Sequence, residues 1–252
     1  MLVTDGVLSI VRVVFLGTGD AFCTEGRANM SIMIESTNGR VLLDCGPQTT
    51  YNLHRLGHKI VDIHSILITH LHGDHAGGLP FVLLDLLFRE RGTKAIQIVG
   101  PSALDEFIRT SYRLFYGATD PAGVYEVVSE EKAFPFTVTS IPAKHTIPAV
   151  CYRLEVEGKT FVYTGDTSTS NDLVNFARGA DYLIHEAAEL DEERARQYGH
   201  STPLQAAGTA AEAKVGKLVL VHRPALSNEL VAEVLNVFSD TIFPQDLDAM
   251  EI

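Results

Sequence analysis

Long apolar runs, paired cysteines and clustered basic residues are all missing from this sequence. No stretch approaches eighteen consecutive apolar residues, so the sequence does not predict a membrane-spanning helix. The three cysteines, Cys23, Cys45 and Cys151, are scattered and form no C-x-x-C pair, which is typical of a reducing compartment. The first residues lack the basic and continuous apolar parts of a secretory signal. We therefore expect a cytoplasmic protein with no membrane partner and no disulfide.

Basic charge is also scarce. The chain has 20 Lys and Arg against 32 Asp and Glu, a net charge of −12. Because binding to a phosphate backbone draws on clustered Lys and Arg, this balance disfavours a large nucleic-acid footprint, although it is compatible with a local basic patch. The 252 residues are 46% hydrophobic and contain no Pro/Gly/Ser-rich linker. We therefore expect a single domain over residues 1–252.

The sequence does contain a dense metal-binding motif, His70-Leu71-His72-Gly73-Asp74-His75. With the His and Asp content of this chain, the pattern H-x-H-x-D-H would arise by chance in roughly one chain in a thousand. Imidazole and carboxylate together suit zinc, manganese or iron, and the lack of thiolate argues against a closed structural zinc site. The alternative, a solvated loop of surface residues, is disfavoured by that low chance frequency.

The flanks of the motif place it between a strand and a helix. Ile66–Ile68 is a short apolar run typical of a buried strand, and Phe81–Phe88 is long and apolar enough for a packed helix. On a helix, at about 100° per residue, the four ligand side chains would spread over more than half of the circumference. We therefore predict that the whole motif is a loop at the carboxyl end of a strand.

Strand-like and helix-like segments alternate along the chain. The predicted strands are Val11–Leu16, Met30–Ile34, Arg40–Asp44, Ser65–Thr69, Ala95–Val99, Phe136–Ile141, Val150–Val156, Thr160–Thr164, Tyr182–His185 and Lys217–His222. The predicted helices are 47–57, 79–91, 102–116, 203–214 and 227–238. Both halves begin with hairpin-type strands and continue as strands alternating with helices. This order predicts an α/β fold in which two sheets pack face to face between outer helices, a four-layer αββα sandwich.

Four further predicted strands are followed at or shortly after their ends by a polar residue that could bind a metal, as a site assembled along one edge of two sheets requires. These residues are Asp44, His145, Asp166 and His222. Each is weak evidence alone, because a His or Asp at a strand end is more often a hydrogen-bonded structural residue. The prediction of a shared site therefore rests on the group.

Together these segments resemble the metallo-β-lactamase fold superfamily and, within it, ribonuclease Z and related zinc phosphodiesterases. The matching segments are 15–21, 27–29, 43–46, 69–75, 78–80, 99–101, 144–145, 165–167, 183–187, 199–202 and 220–222. The His-rich motif marks the superfamily. His185-Glu186-Ala187 and Gly199-His200-Ser201-Thr202 point to the ribonuclease Z branch.

The resemblance implies a two-metal hydrolase. In this pattern three histidines hold one ion, an aspartate and two histidines hold the second, and another aspartate bridges them. Carried over to this chain, the first ion would be held by His70, His72 and His145 and the second by Asp74, His75 and His222. The bridging aspartate would be Asp166. Two divalent ions, with zinc favoured over manganese or iron, would hold a bridging hydroxide as the nucleophile and neutralise a phosphodiester.

The resemblance also implies an acid that protonates the leaving group. His200 would be this general acid and Glu186 its partner, with Asp74 counted among the catalytic residues as well as the ligands. Thr202-Pro203-Leu204-Gln205 predicts a capped helix start, so His200 would lie just before a helix N-terminus. The alternative is a surface His beside a cap. Asp44 has no ligand role in the pattern; orienting a ligand imidazole and capping the following turn are equally compatible with the sequence.

Two departures from the ribonuclease Z pattern bear on the substrate. Enzymes of that branch that cut tRNA precursors commonly carry a long basic arm, whereas here His145 and Asp166 are only 21 positions apart and one hairpin, 150–164, fills the gap. Cys151 stands where a Gly is usual, and Arg223-Pro224 follows the last His in place of an aromatic-serine pair. For Arg223, contact with a substrate phosphate and a plain surface charge are both compatible with the sequence.

Three functions are compatible with these observations. The first is a phosphodiesterase acting on small or single-stranded phosphodiesters. The second is a 3′ tRNA endonuclease working without an arm or with one supplied by a partner subunit, and the third is a lactonase or thioesterase on the same scaffold. The His200–Glu186 pair favours phosphate, because opening an ester or lactone has less need of a separate acid. In the resembled family, the helices here predicted at 79–91 and 102–116 form a dimer face, so we expect a homodimer. The alternative is that these apolar helices simply pack over the sheet.

Overall fold

Two β-sheets form the centre of the fold in a computed structural model that describes residues 10–89, 95–117, 119–133 and 135–252. In chain order the strands are β1 (Arg12–Gly17), β2 (Ser31–Ser36), β3 (Gly39–Leu43), β4 (Ser65–Leu67), β5 (Ile96–Val99), β6 (Tyr125–Val127), β7 (Thr137–Pro142), β8 (Val150–Val156), β9 (Lys159–Tyr163), β10 (Tyr182–Glu186), β11 (Lys217–Val221), β12 (Thr241–Ile242) and β13 (Ala249–Glu251). One sheet has the order β13-β1-β2-β3-β4-β5-β6 and the other β12-β11-β10-β9-β8-β7.

Each sheet changes from antiparallel to parallel pairing along its width. In the first sheet β1, β2 and β3 pair antiparallel, and β3 to β6 pair parallel. In the second sheet β7, β8 and β9 pair antiparallel, and β9 to β12 pair parallel. Because the carboxyl ends of parallel strands meet at one edge of a sheet, each sheet collects the residues that follow its parallel strands at a common edge.

Helices cover the outer faces of both sheets. They are α1 (Thr49–Arg55), α2 (Gly73–Ala76), α3 (Leu79–Phe88), α4 (Leu104–Tyr116), α5 (Asn171–Ala177), α6 (Glu192–Tyr198), α7 (Pro203–Ala213) and α8 (Asn228–Val237). Core side chains of the first sheet's outer face pack with α3 and α4, and those of the second sheet pack with α5 and α7. The predicted four-layer αββα arrangement is confirmed.

Alternating side chains of β1 show how the sequence fixes this layering. Val13 and Phe15 belong to the core between the two sheets, whereas Val14 and Leu16 belong to the core under the helices. Each side chain is almost fully buried, and burying an apolar side chain of this size stabilises the fold by about 1.5–3 kcal/mol. A slip of one residue would exchange the two sets, so the register of the strand is strongly specified.

The predicted elements compare well with the observed ones. All ten predicted strands are present, and their observed ends lie within two residues of the predicted ones. The five predicted helices are also present. Residues 90–91 of the predicted helix 79–91 lie outside the described residues. The short β6, β12 and β13 and the seven-residue α5 and α6 were not predicted. None of the helices in the described part of the chain is long and apolar enough to cross a bilayer.

The prediction that the whole His-rich motif is a loop was wrong. His70 and His72 precede a helical turn, α2, which contains Asp74 and His75. Four ligands on one continuous helix would indeed diverge, but His72 has an extended backbone (φ −65°, ψ 151°) and turns the chain into α2. The motif therefore consists of two ligands on extended chain followed by two neighbouring ligands on one helical turn.

Candidate metal centre

All seven predicted ligands come together at the edge where strands of both sheets end. The seven ligands form two groups, one of His70, His72, His145 and Asp166, the other of Asp74, His75, Asp166 and His222, and a third set of residues that could hold a cation, Glu186, His200 and His222, overlaps the second group at His222. Within each group the candidate ligand atoms lie within 4.8 Å of one another, and Asp166 belongs to both groups. The residues follow strands β4, β7, β9 and β11, so the topology of the two sheets builds this constellation.

The first group is rich in nitrogen. His72 Nδ1 lies 3.1 Å from His70 Nε2 and 3.2 Å from His145 Nε2, and Asp166 Oδ2 lies 3.6 Å from His70 Nε2. Two nitrogen ligands of a tetrahedral zinc ion, each at 2.0–2.1 Å, are separated by about 3.3 Å. The spacing of these ring nitrogens therefore suits a single tetrahedral cation.

The second group is richer in carboxylate. His75 Nε2 lies 3.3 Å from both Asp74 Oδ2 and Asp166 Oδ1, and His222 Nε2 lies 3.1 Å from Asp74 Oδ2. Among the described residues, His75 Nε2 and Asp166 Oδ1 are buried and have no hydrogen-bond partner. Buried polar atoms are almost always satisfied in native proteins. A bound cation would satisfy both atoms, so the residues present fit a metal.

The electrostatics of the first group favour the form of histidine that binds metals. Burial lowers the pKa of His70 to about 2, with the nearby His75 acting in the same direction. Burial also lowers the pKa values of His72 and His145. A histidine must be neutral to bind a metal, and these three are held neutral.

Carboxylates dominate the second group. Burial alone would lower the pKa of His75, but the charges of Asp166 and Asp44 outweigh it and raise that pKa well above its ordinary value. Burial would raise the pKa of Asp166, but His222 and His75 hold it well below its ordinary value. This group thus presents ionised oxygen to any cation that enters it.

Asp44 holds the candidate ligand His75 in place. It is fully buried, and its Oδ2 lies 2.7 Å from His75 Nδ1 and accepts a hydrogen bond of 2.7 Å from the Tyr163 hydroxyl. Its Oδ1 accepts from the Thr69 backbone N–H at 2.7 Å. Of the two roles compatible with the sequence, the structure shows the contact expected for orienting a ligand imidazole, and the same carboxylate also fixes the turn before His70.

Glu186 and His200 form a pair beside the candidate ligands, in which Glu186 is buried and His200 is partly exposed. His200 Nδ1 lies 3.0 Å from Glu186 Oε1 and 3.9 Å from Asp166 Oδ2. Glu186 is held by the backbone N–H groups of Thr167 and Ser201, both at 3.1 Å. Burial alone would lower the pKa of His200, but the hydrogen bond and charge of Glu186 raise it to about 9. The alternative interpretation of His200, a surface histidine beside a helix cap, therefore does not fit the structure.

The segment between α6 and α7 positions both His200 and a candidate ligand. The carbonyl of Gly199 lies 2.9 Å from His145 Nδ1, and Gly199 ends α6 with φ +71°. Thr202 begins α7, where its hydroxyl accepts from Gln205 N–H and the Gln205 side chain accepts from Thr202 N–H. The capping box predicted from the sequence is therefore present and fixes the chain directly after His200.

An open cavity of about 580 Å³ gives access to the cluster. Its walls include Phe22, Arg194 and Tyr198, which no sequence pattern selected. The guanidinium of Arg223 lies 5.7 Å from the centre of the Phe243 ring, and Arg223 is almost fully buried. A surface charge is therefore the wrong description of Arg223, and it is not among the described residues that line this cavity.

The sequence matches one protein-family profile over most of its length. That profile, of the family described as Anti-Pycsar protein Apyc1, matches residues 11–222. The chain belongs to the Apyc1 family. This Apyc1-family chain is also 30% identical to a protein named Ribonuclease Z from Prochlorococcus marinus (strain MIT 9313), over 96% of this chain and 98% of that one. It is 26% identical to Ribonuclease Z of Thermoplasma acidophilum, over 97% of each chain.

Solved structures show the same fold. The short form of human tRNase Z is 26% identical to the Apyc1-family chain, with a TM-score of 0.78, over 95% of this chain and 98% of that one. The metallo-β-lactamase fold protein YhfI from Bacillus subtilis has a TM-score of 0.82 at 23% identity, over 97% of this chain and all of that one. The predictions of a ribonuclease Z-like metallo-β-lactamase fold and of a hydrolytic enzyme are confirmed.

The Apyc1-family chain is shorter than its ribonuclease Z relative. The alignment with the Prochlorococcus protein extends over 315 positions, whereas this chain has 252 residues. That relative therefore has segments without a counterpart here. Between His145 and Asp166 the structure contains only the predicted β8–β9 hairpin, with the turn Glu157-Gly158 in the left-handed region.

Proposed function

We propose that this protein is a dinuclear metal-dependent phosphodiesterase. The observation that carries the proposal is the pair of ligand groups sharing Asp166, with the His200–Glu186 pair beside them. We propose zinc for both sites, because nitrogen ligands predominate in the first group and manganese or iron would be less favoured there. When bound, two such ions activate water as a nucleophile and neutralise the charge of a phosphodiester.

The protein's own residues would supply the rest of the chemistry. Cleavage of a P–O bond leaves an alkoxide unless an acid protonates it. His200 is paired with Glu186 through Nδ1, so Nε2 is the nitrogen available to donate this proton. Asp74 and Asp166 would hold the ions, and Asp44 would keep His75 in its binding orientation.

We propose that the substrate is a small or single-stranded phosphodiester. The net charge of −12 gives little attraction for a long phosphate backbone, and a single hairpin stands between His145 and Asp166. A cavity of about 580 Å³ accommodates a small molecule well. Cytoplasmic location remains part of this proposal because three unpaired cysteines suit a reducing compartment.

A substrate panel tests this function. One zinc-loaded preparation would be given bis(p-nitrophenyl) phosphate, a cyclic nucleotide, a tRNA precursor and an acyl-homoserine lactone. We expect hydrolysis of the small phosphodiesters, with two ions per chain by elemental analysis at full activity. Turnover of the lactone alone would reject a phosphodiesterase, and full activity with one ion would reject the dinuclear site.

Processing of tRNA precursors is the second candidate function. It is favoured by the relatives named Ribonuclease Z and by the similarity to the short form of human tRNase Z. The same panel separates the two candidates, because we expect weak precursor binding with steep salt dependence. Efficient cleavage of a precursor at submicromolar concentration in physiological salt would put this candidate first.

We also propose that the protein is a homodimer. Phe81 on α3 and Leu114 and Phe115 on α4 expose large apolar side chains, and the Phe81 and Phe115 rings lie 5.9 Å apart. A contiguous apolar face of this kind marks an interaction surface. A second copy of the chain would cover the same patch on both subunits.

A further inference from the structure

An exposed aromatic ring stands at the mouth of the candidate metal centre. Phe22 is 89% exposed, the largest value among the large hydrophobic side chains of the described residues. It lines the cavity above the metal centre together with His200 and His222. A ligand bound in this cavity would cover part of the exposed ring, and burying that apolar area would favour binding.

The backbone holds this ring outward on a fixed turn. Asp20 Oδ1 accepts hydrogen bonds from the N–H groups of Phe22 at 3.1 Å and Thr24 at 2.9 Å, and Oδ2 accepts from the Thr24 hydroxyl at 2.6 Å. The Asn29 side chain donates to the carbonyl of Asp20 at 2.8 Å, which ties the turn to the start of β2. The exposure of Phe22 is therefore built into the turn.

The cleft has two lobes that share this ring. A second cavity of about 370 Å³ adjoins the first, and Phe22, Arg194, His200 and His222 line both. The larger lobe reaches Asp74 and Asp166, whereas the smaller one reaches Leu190 and Pro224. A phosphodiester has two ester groups, and two lobes meeting beside His200 would give each group its own space.

Flat and apolar groups make up the other walls. The guanidinium carbon of Arg194 lies 5.8 Å from the centre of the Tyr198 ring, and Arg194 Nε donates to Glu189 at 3.1 Å. Stacked arginine and aromatic surfaces suit a planar ring better than a flexible alkyl chain. A planar ring in the cleft would have Phe22 on one wall and this stacked pair on another.

We propose that Phe22 is a specificity-determining residue that stacks on a planar aromatic ring of the nucleobase type carried by one ester group of the substrate. This inference rests on the proposed phosphodiesterase function, because the phosphate must lie at the metal centre for the ring to reach Phe22. Stacking of a base on an aromatic side chain tolerates any base identity, since every base has a π-face. The residue would thus select nucleoside esters over simple alkyl esters without selecting one base.

Binding of products to the zinc-loaded protein tests the stacking. Calorimetry would compare adenosine 5′-phosphate and adenosine 3′-phosphate with ribose 5-phosphate, which has the same charge and no base. For the unchanged protein we expect the better of the two nucleotides to bind about tenfold to a hundredfold more tightly than ribose 5-phosphate. In Phe22→Ala this preference should fall to within threefold, and Phe22→Tyr should retain it.

A matched control is Tyr51→Ala, which removes an exposed aromatic ring from α1 and should leave the preference unchanged. An undiminished preference in Phe22→Ala, equal binding of all three phosphates by the unchanged protein, or no binding at millimolar concentration would each overturn the role of Phe22. Hydrolysis of bis(p-nitrophenyl) phosphate by the same preparation reports separately on the proposed function. Failure of the inference and failure of the function are therefore distinguishable.

Discussion

At the scale of single residues, two buried polar residues of the candidate centre have a strained backbone. Asp44 and His222 both have positive φ, 58° and 46°, although neither is glycine. Such conformations cost about 1–3 kcal/mol and persist where the surroundings determine them fully. The side chain of Asp44 has hydrogen-bonding contacts with Thr69, Tyr163 and His75, and the N–H of His222 donates to the carbonyl of Thr18 at 2.8 Å.

Replacing Asp166 with Ala tests whether this residue links the two sites. Its Oδ2 faces His70 and its Oδ1 faces His75, so one substitution removes an oxygen from both groups. We expect the variant to lose both ions together, measured by elemental analysis after desalting. Glu233→Ala, which removes an exposed carboxylate on α8, should keep both. Loss of a single ion would show that Asp166 serves only one site.

Replacing His200 with Ala separates proton donation from metal binding. If His200 is the general acid, the variant should keep both ions and lose about 10²–10⁴-fold in kcat on substrates with alkoxide leaving groups. On p-nitrophenyl esters, whose leaving group is stable as an anion, the loss should be far smaller. Glu186→Gln should show the same selectivity more mildly, because it weakens the contact that raises the pKa of His200 to about 9. Equal losses on both substrate types would leave the acid unidentified.

Residue type and position explain which site residues could be predicted. Asp166 and His222 follow strands with a clear hydrophobic pattern, and the His-rich motif is rare by chance, so these candidate ligands could be selected from the sequence, while their grouping into two sites came from the family resemblance. Phe22 and Arg194 carry no such signal. Their importance depends on exposure beside a cavity, which is set by the packing of segments distant in the chain.

At the scale of elements, short connections position the functional side chains. The segment 199–202 lies between α6 and α7. At one end the carbonyl of Gly199 contacts His145, and at the other end Thr202 caps α7. The long apolar strands were predictable because their periodicity repeats several times. Two- and three-residue strands such as β12 and β6 offer too few residues for a pattern, and the turn α2 is only four residues long.

Replacing Gly199 with Ala should damage the metal centre as well as the helix end. A Cβ at Gly199 would lie 2.8 Å from His145 Cα and 3.1 Å from His145 Nδ1. Left-handed backbone costs a non-glycine residue about 1–2 kcal/mol. We expect this loss in the free energy of unfolding by urea titration, together with weaker zinc binding by competition with a chelator.

Gly179→Ala is the matched control for this substitution. Gly179 has a similar φ of +68°, and a Cβ there would have nothing within 4 Å. It should therefore show the backbone cost without any change in zinc affinity. Equal zinc affinity in both variants would mean that the carbonyl of Gly199 does not position His145.

At the scale of the whole molecule, the candidate centre joins the two sheets. His70, His72 and His75 follow β4 of one sheet, while Asp166 and His222 follow β9 and β11 of the other. The extensive core between the sheets, which includes Phe15 and Tyr163, sets the distance between these two groups of residues. Because the candidate ligands come from both sheets, the packing of the whole fold determines the geometry of the candidate metal site.

The apolar face on α3 and α4 gives the last prediction. If it forms a homodimer interface, sedimentation velocity should give about twice the 27.5 kDa mass of the chain. Phe115→Asp places a charge in the centre of that face, next to Phe81, and burying an unpaired carboxylate is strongly unfavourable, so this variant should sediment as a monomer. Val237→Asp, at an exposed apolar position on α8, should leave the dimer intact. An unchanged dimer in Phe115→Asp would move the interface elsewhere, and a monomeric unchanged protein would reject the homodimer altogether.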